Sequence, residues 1–539
     1  MTKDYKAELS HAFEENDFKK FDKEYLEFLT QFDSFKEARS ATPTTLRLTN
    51  PIFGADHSFF LKQTNDEQAE KTLKSARNAS KVLAKMSVED RLDFMSVLEK
   101  KMAAHQEEIA LTISADTGKP VDLSAAEVSS KGKEWFDYAK DEAAKQLADK
   151  QVRKNVNIST RPLGAAQIIG AFNYPYALAI GGIVGALTAG NGVVVSAPLK
   201  APNWVFPFMQ AAKEAVAEFS EKAKAEGKPW ADDFAKNAGG IIQTSVGVNN
   251  KLTGEADVVH FVGSDFVGNL IRKNRGDKRT IVEMGGSNVV AVMKSAVKDD
   301  ADSKKIAQTL YDAFGPATGQ RCTAPRIICV QEGAEGVTDH IKQLCDQGPG
   351  DLLGNPFKAG VKMGPMVDRN SHQRMGEAVA LAQELGAEVH GDFQIHDNEM
   401  PQARSAYWVR PVVIDWTKAL DANPDNAKRI YDFMKGEIFG PFVHIVHPVK
   451  TLDQAIEMTN KLDDHGLAGA IFSNDPAEVR HYQDNIKVTS LAVNGAPKDV
   501  SPYGEHGHPG LATIGGTDHF GLYSERYTRS DMGKTPLAM

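Results

Sequence analysis

Cysteine is scarce: three residues in a chain of 539, too few for a disulfide framework, so a reducing compartment is the simpler expectation. Excess positive charge is missing too. Lys and Arg number 63 against 72 Asp and Glu, a net charge of −9, which argues against nucleic acid or an anionic membrane as the main partner. No uninterrupted apolar run approaches the ~20 residues of a membrane span, and the opening MTKDYKAELSHAFEEN has no apolar core of the signal-peptide kind. The expectation is a cytoplasmic protein. The Gly-x-Gly-x-x-Gly fingerprint of dinucleotide-binding turns is also absent, so any phosphate site must be built differently.

What remains is an ordinary globular composition, 41% apolar and 25% charged, in a chain long enough that core burial is not limiting. Phe18, Phe21, Tyr25 and Phe28 recur at helical spacing before the break SATPTT, which predicts a helical extension over 1–45. From Asp66 to about Ala148 the pattern predicts three amphipathic helices. Ser87 and Asp90 are spaced as a capping box, and Gly118-Lys119-Pro120 separates the second helix from the third. Beyond them, short apolar segments (VNIST, AQIIG, VVV, IIQTSV, ADVVHFV, TIVEM) are separated by helix-length stretches. A second alternation follows Gly286, through RIICV, VVI and HIV, and ends at LAVN. Strand and helix in such succession predict an α/β fold of two parallel-sheet units, with ligand chemistry in the crevice between them.

Cys322, in FGPATGQRCTAPRIICV, is the one cysteine set in a loop just before an apolar strand, where substrate can reach it. It reads either as a nucleophile or as a small buried hydrophobe. Gly263-Ser264 joins a strand directly to a helix, so the helix N-terminus could take a pyrophosphate, or Ser264 could simply be its N-cap. Glu283 ends a strand before Met-Gly-Gly and is either a general base or a solvated strand-end carboxylate. Asn173, in GAFNYPYAL, is an oxyanion donor or a turn former. Glu437, in KGEIFGPF, is equally open. Glu505, His506, His508 and His519 have the composition of a metal cluster, but their Gly- and Pro-rich setting favours a loop without metal.

Taken together, the segments resemble the aldehyde dehydrogenase superfamily. Asp116-Thr117-Gly118-Lys119-Pro120, Phe172-Asn173-Tyr174-Pro175, Gly190-Asn191, Phe261-Val262-Gly263-Ser264, Glu283-Met284-Gly285-Gly286, Gly319-Gln320-Arg321-Cys322 and Glu437-Ile438-Phe439-Gly440-Pro441 occur in that family's order, over roughly residues 49–500. Seven ordered motifs are far more specific than any one of them. The resemblance implies a nucleotide-binding domain over 46–150 and 167–284, a catalytic domain over 285–498, and a small β oligomerisation flap from 151–166 and 499–539. It implies oxidation of an aldehyde to a carboxylic acid with NAD or NADP as cofactor. Cys322 would attack the aldehyde, and Asn173 with the Cys322 backbone N–H would form the oxyanion hole. Glu283 would activate the water that hydrolyses the thioester. Cofactor contacts would fall to Phe172, Gly263, Ser264, Gly285, Glu437 and Phe439, with no metal. A homodimer or homotetramer is implied as well, with the strand near Val152–Ser159 as an exposed edge that meets the C-terminal part of a neighbouring subunit.

The chain also departs from the pattern of the family it resembles. Where the family has a lysine and a glutamate for the adenosine ribose, this sequence has Ser196 and Leu199. That removes a charge repelling a 2′-phosphate, and nearby Lys200 could favour one. The C-terminal motif is altered to PYGEHGHPGLATIGGTDHF. Its Gly515-Gly516 followed by an aromatic is similar to the branch that oxidises glutamate semialdehyde (pyrroline-5-carboxylate). Two rival readings are an acylating relative that transfers to coenzyme A and a catalytically idle homologue. Retention of Glu283 speaks against the first, and the intact set Cys322, Asn173, Glu283 and Glu437 against the second.

Overall fold

The computed structural model describes residues 3–40, 46–153, 156–247, 249–395, 400, 406–422, 426–497, 501–503, 505–506, 514–515 and 518–530. Its first sheet has five parallel strands in the order Thr280–Glu283, Val258–Val262, Ala165–Ile169, Gly192–Ala197, Ile242–Val246. The near-continuous apolar runs follow from burial on both faces. Ala165, Ile169, Val194 and Val259 meet Ala69, Leu73 and Ala76 of helix Asp66–Leu83. Ile168, Val193 and Val195 point the other way, into a core shared with Ile180, Ile183 and Val184 of helix Ala177–Thr188. Strand order reverses between Ala165–Ile169 and Val258–Val262, and the crevice at such a switch point is where open α/β sheets bind ligands. Phe172-Asn173 and Gly263-Ser264 follow those two strands directly.

The second sheet runs Glu388–His390, Val412–Asp415, Phe442–Val449, Ile327–Gln331, Val289–Val292, Ala468–Phe472, Ser490–Val493, parallel except for the first strand. Here the chemistry-bearing residues precede their strands. Gly285-Gly286 leads into Val289–Val292, Cys322 into Ile327–Gln331 and Glu437 into Phe442–Val449. The amino ends of one parallel sheet and the carboxyl ends of the other thus carry the candidate residues.

The helical region differs from the expected three helices. It holds Asp66–Leu83, Val88–Ala104, Gln106–Thr117, Val121–Ala126 and Gly132–Leu147, the last two joined by a π-helical turn over Glu127–Lys131. The Ser87/Asp90 capping box forms as expected. An antiparallel sheet of Arg39–Ser40, Leu46–Asn50 and Ala55–Leu61 was not anticipated, although LRLTN alternates in burial as a half-covered strand does. Helices Tyr5–Glu14, Phe18–Leu29 and Asp33–Ala38 precede it, and Phe21, Tyr25, Phe28 and Phe35 belong to the same core as the first sheet.

The flap corrects part of an expectation: Val152 and Arg153 do lie on an outer strand, Lys150–Arg153, but residues 156–159 do not. Val156–Pro162 is its central strand, paired antiparallel on one side with Ser524–Ser530 of the same chain and on the other with Lys150–Arg153. Its backbone groups are therefore used within the chain and do not form an open edge. Of the histidine-rich cluster, His508 and the side chains of Glu505 and His506 lie outside the described residues. His519 is fully buried, its ring 4.9 Å from that of Trp135 and its Nε2 donating to the Gly181 carbonyl at 3.2 Å. It is a core residue.

Candidate active site

The loop carrying Cys322 is held in a strained shape. Ala317 and Thr318 have φ of 54° and 55°, a left-handed region that costs a non-glycine residue about 1–3 kcal/mol and persists only where surroundings over-determine it. Those surroundings are explicit. The Ala317 N–H donates to the Lys362 carbonyl at 2.8 Å and the Thr318 hydroxyl to the Gly364 carbonyl at 2.8 Å. Gly319 continues the left-handed run at φ 61°, and any side chain there would overlap the Gly440 carbonyl. The cysteine loop and the Glu437 loop therefore meet backbone to backbone. Arg326, fully buried, ties them together: its guanidinium donates to the carbonyls of Gly440 at 2.7 Å, Gly319 at 2.8 Å and Arg321 at 3.1 Å. The Asn288 amide donates to the carbonyls of Cys322 at 2.6 Å and Ala324 at 2.8 Å.

Three acidic groups converge there. Burial raises the Cys322 thiol pKa above the ordinary thiol range, and the carboxylates of Glu283 and Glu437 raise it further; the backbone N–H groups of Cys322 and Thr323 oppose them. Glu437 rises to about 7 because it is buried, with Arg326 opposing and Asp265 adding to the shift. Its Oε1 has no hydrogen-bond partner among the described residues, and its carboxylate lies over Gly285, where a side chain would collide with it. Cys322, partly exposed, and Glu283, buried, therefore share one weakly screened site. At rest the nucleophile candidate is a thiol. Iodoacetamide should accordingly label Cys322 at pH 7, without cofactor, more slowly than free cysteine, whose pKa is about 8.5. Peptide mapping that finds equal or faster labelling would show that the site lowers the thiol pKa.

The other expected residues divide. Phe172 and Phe439 meet edge to face at 5.9 Å, and the Arg326 guanidinium lies 5.6 Å from the Phe439 ring. Asn173 is buried, and its side-chain amide makes no hydrogen bond among the described residues. Ser264 occupies the N-cap position of helix Asp265–Arg275 without a side-chain capping bond, leaving that helix end available to an anion. Asp265, in its first turn, is ion-paired with His465. Gly263 donates its N–H to the Glu283 carbonyl at 3.1 Å. Ser196 is not at a surface: it is buried in the first sheet, bonded to Gln167 at 2.8 Å and Ser245 at 2.8 Å. Leu199 is 45% exposed, close to Gly247. Lys200 does not turn toward it; its ammonium pairs with Asp368 at 2.7 Å and lies 5.1 Å from the Phe172 ring.

Sequence reasoning missed Arg326 and Asn288. A lone arginine at the mouth of an apolar strand, as in TAPRIICV, was the available signal, because such a charge is buried only with partners.

Residues 38–528 match the Aldehyde dehydrogenase family. The chain belongs to that family. Among relatives of this aldehyde dehydrogenase, it is 25% identical over 492 residues to a 1-pyrroline-5-carboxylate dehydrogenase from Anoxybacillus flavithermus, covering 87% of each chain. It is 24% identical over 521 residues to a malonate-semialdehyde dehydrogenase from Lacticaseibacillus casei, covering 94% of this chain and 96% of that one. A point mutant of the betaine aldehyde dehydrogenase from Staphylococcus aureus, in complex with NAD+, shares the fold with a TM-score of 0.76 and 22% identity, over 92% of this chain and 96% of that one. The protein is thus an aldehyde dehydrogenase by family, with the fold of its solved neighbours.

Proposed function

We propose that this dehydrogenase converts an aldehyde to a free carboxylic acid through covalent attachment to Cys322. The observation that carries the reading is that Arg326 and Asn288 hold the Cys322 loop against the Glu437 loop, with Glu437 lying over the Gly285 that follows Glu283. Glu283 takes the thiol proton as the sulfur adds to the carbonyl carbon, and the resulting oxyanion is received by the Asn173 amide and the Cys322 backbone N–H. A nicotinamide cofactor, when bound, supplies the acceptor for the hydride that leaves that carbon. Glu283 releases the thiol proton to solvent and, again a carboxylate, removes a proton from water attacking the thioester, while Cys322 departs with the C–S electron pair. A buried carboxylate beside the sulfur favours hydrolysis over transfer to coenzyme A.

The residues fit a dinucleotide. Helix Asp265–Arg275 offers an uncapped N-terminus for the pyrophosphate. The Glu437 carboxylate over Gly285, with an oxygen unpaired among the described residues, suits ribose hydroxyls, and Phe172 and Phe439 supply apolar surface. If Glu437 accepts those hydroxyls as a carboxylate, cofactor affinity should rise with pH through about 7, the value burial gives it, because the protonated form below that pH loses an acceptor. Titration of binding by protein fluorescence between about pH 6 and 8 would show this, and Glu437→Gln should flatten the profile. A flat wild-type profile contradicts the role.

At the adenosine end, the apolar Leu199 neither accepts from a 2′-hydroxyl nor repels a 2′-phosphate, so NADP should serve comparably with NAD. Leu199→Glu should shift preference toward NAD by about 1 kcal/mol, roughly fivefold, through like-charge repulsion. The test of the whole reading is a panel of aldehydes with NAD and NADP, followed by absorbance of the reduced cofactor. The panel includes pyrroline-5-carboxylate and malonate semialdehyde, the compounds in the relatives' names. No turnover of any aldehyde, or a hundredfold rejection of NADP, about 2.7 kcal/mol, would overturn the respective claim. Both outer strands of the flap lack a strand on one side among the described residues, consistent with a homodimer or homotetramer in which a second copy covers them.

A further inference from the structure

Lys119 and Glu127 form an ion pair at 2.6 Å with side chains 5% and 0% exposed. Neither belongs to the site described above, and burying both charges needs a reason, since a buried ion pair contributes little net stability. Its surroundings point at one loop. The Lys119 ammonium donates to the backbone carbonyl of Asn173 at 3.1 Å and sits over the Tyr174 ring, 3.5 Å from its centroid. The second oxygen of Glu127 accepts the N–H groups of Tyr176 at 2.8 Å and Ala177 at 3.0 Å. Those N–H groups open helix Ala177–Thr188, which has no side-chain cap of its own; a carboxylate there satisfies orphan donors and complements the helix dipole. Glu127 reaches them from the first residue of the π-helical turn Glu127–Lys131, a rare distortion that tends to mark functional positions. The segment Asn173–Ala177 is thus pinned at its first carbonyl by the cation and at its last two N–H groups by the anion.

We propose that the Lys119–Glu127 pair is a positioning pair: it fixes the backbone of Asn173 so that the side-chain amide, which has no hydrogen-bond partner among the described residues, stays aimed at the oxyanion formed on Cys322. This rests on the oxyanion role given to Asn173 above. The pair acts through Asn173 and touches no reacting atom.

The test is a double-mutant cycle on the first-turnover rate of cofactor reduction by stopped flow, with NAD affinity and thermal unfolding measured beside it. Lys119→Met alone leaves a buried carboxylate unpaired and risks misfolding, so the variant is Lys119→Met/Glu127→Gln, which removes both charges and keeps an amide oxygen for the helix N–H groups. The expected result is a first turnover slowed about tenfold or more, in the range of a lost or misaimed oxyanion donor, with NAD affinity within about twofold of wild type. Adding the same two changes to Asn173→Ala should then cost less than about twofold further, because residues acting as one unit are not additive. An unchanged rate in the Asn173-containing variant overturns the positioning role alone, provided Asn173→Ala is itself slow. A full tenfold loss on the Asn173→Ala background overturns it as well, since the pair would then act elsewhere. If Asn173→Ala reacts at the wild-type rate, the oxyanion role falls and takes the positioning role with it.

Discussion

Cys322→Ala is expected to lower aldehyde-dependent cofactor reduction by at least about a thousandfold while leaving the fold and cofactor binding intact. The loss is large because a covalent route has no partial substitute once its nucleophile is gone. The other two thiols cannot take over. Cys329 lies inside strand Ile327–Gln331 and Cys345 on helix Glu335–Gln347, both buried in hydrophobic cores on opposite faces of the second sheet. Burial holds both above the ordinary thiol range, Cys329 at about 12. Stability should change little, because the side chain removed is partly exposed and belongs to none of the hydrophobic cores. The loop is held by contacts of Ala317, Thr318, Asn288 and Arg326 that do not use the sulfur. Steady-state kinetics and thermal unfolding check both halves. Residual turnover above about a tenth of wild type would mean another nucleophile.

Strand and helix alternation was legible because parallel strands buried on both faces leave apolar runs that polar neighbours punctuate, as in GVVVSA and ADVVHFV. Five of the seven motifs, those holding Asn173, Ser264, Glu283, Cys322 and Glu437, fall on loops of the candidate site for a related reason: each holds a glycine, proline or asparagine whose backbone demand is local. What stayed hidden depends on contacts between distant segments. Nothing near Arg326 announces that it will meet the Gly440 carbonyl, and nothing near Glu127 that it caps a helix 50 residues later. The central position of Val156–Pro162 escaped for the same reason, because its partner Ser524–Ser530 lies at the far end of the sequence. Ser196 shows a different limit. Its place on strand Gly192–Ala197 and the two-residue side-chain period set it on a buried face of the sheet, where its hydroxyl bonds to Ser245 and Gln167. The ion pair of Lys200 with Asp368, far along the chain, was hidden in the same way.

Glu283→Gln should separate the two halves of the reaction. An amide of nearly the same shape keeps the end of strand Thr280–Glu283 and the pairing of its backbone with Val258–Val262, so the site should remain assembled. It cannot accept a proton. Sulfur addition can still proceed from the small thiolate fraction present at higher pH. Removing the Glu283 charge also lifts one of the two carboxylate fields that hold the Cys322 thiol up, so the thiolate fraction at a given pH increases. Thioester hydrolysis has no such relief, because water is far weaker as a nucleophile and needs the base in its transition state, a contribution of about 10²–10⁴ in rate. Rapid mixing above pH 8 should therefore show close to one equivalent of reduced cofactor formed quickly, then a slow steady rate, and intact-protein mass spectrometry should find the acyl group on Cys322. A first turnover as slow as those that follow would place the limiting role of Glu283 before the thioester and would remove water activation from its account.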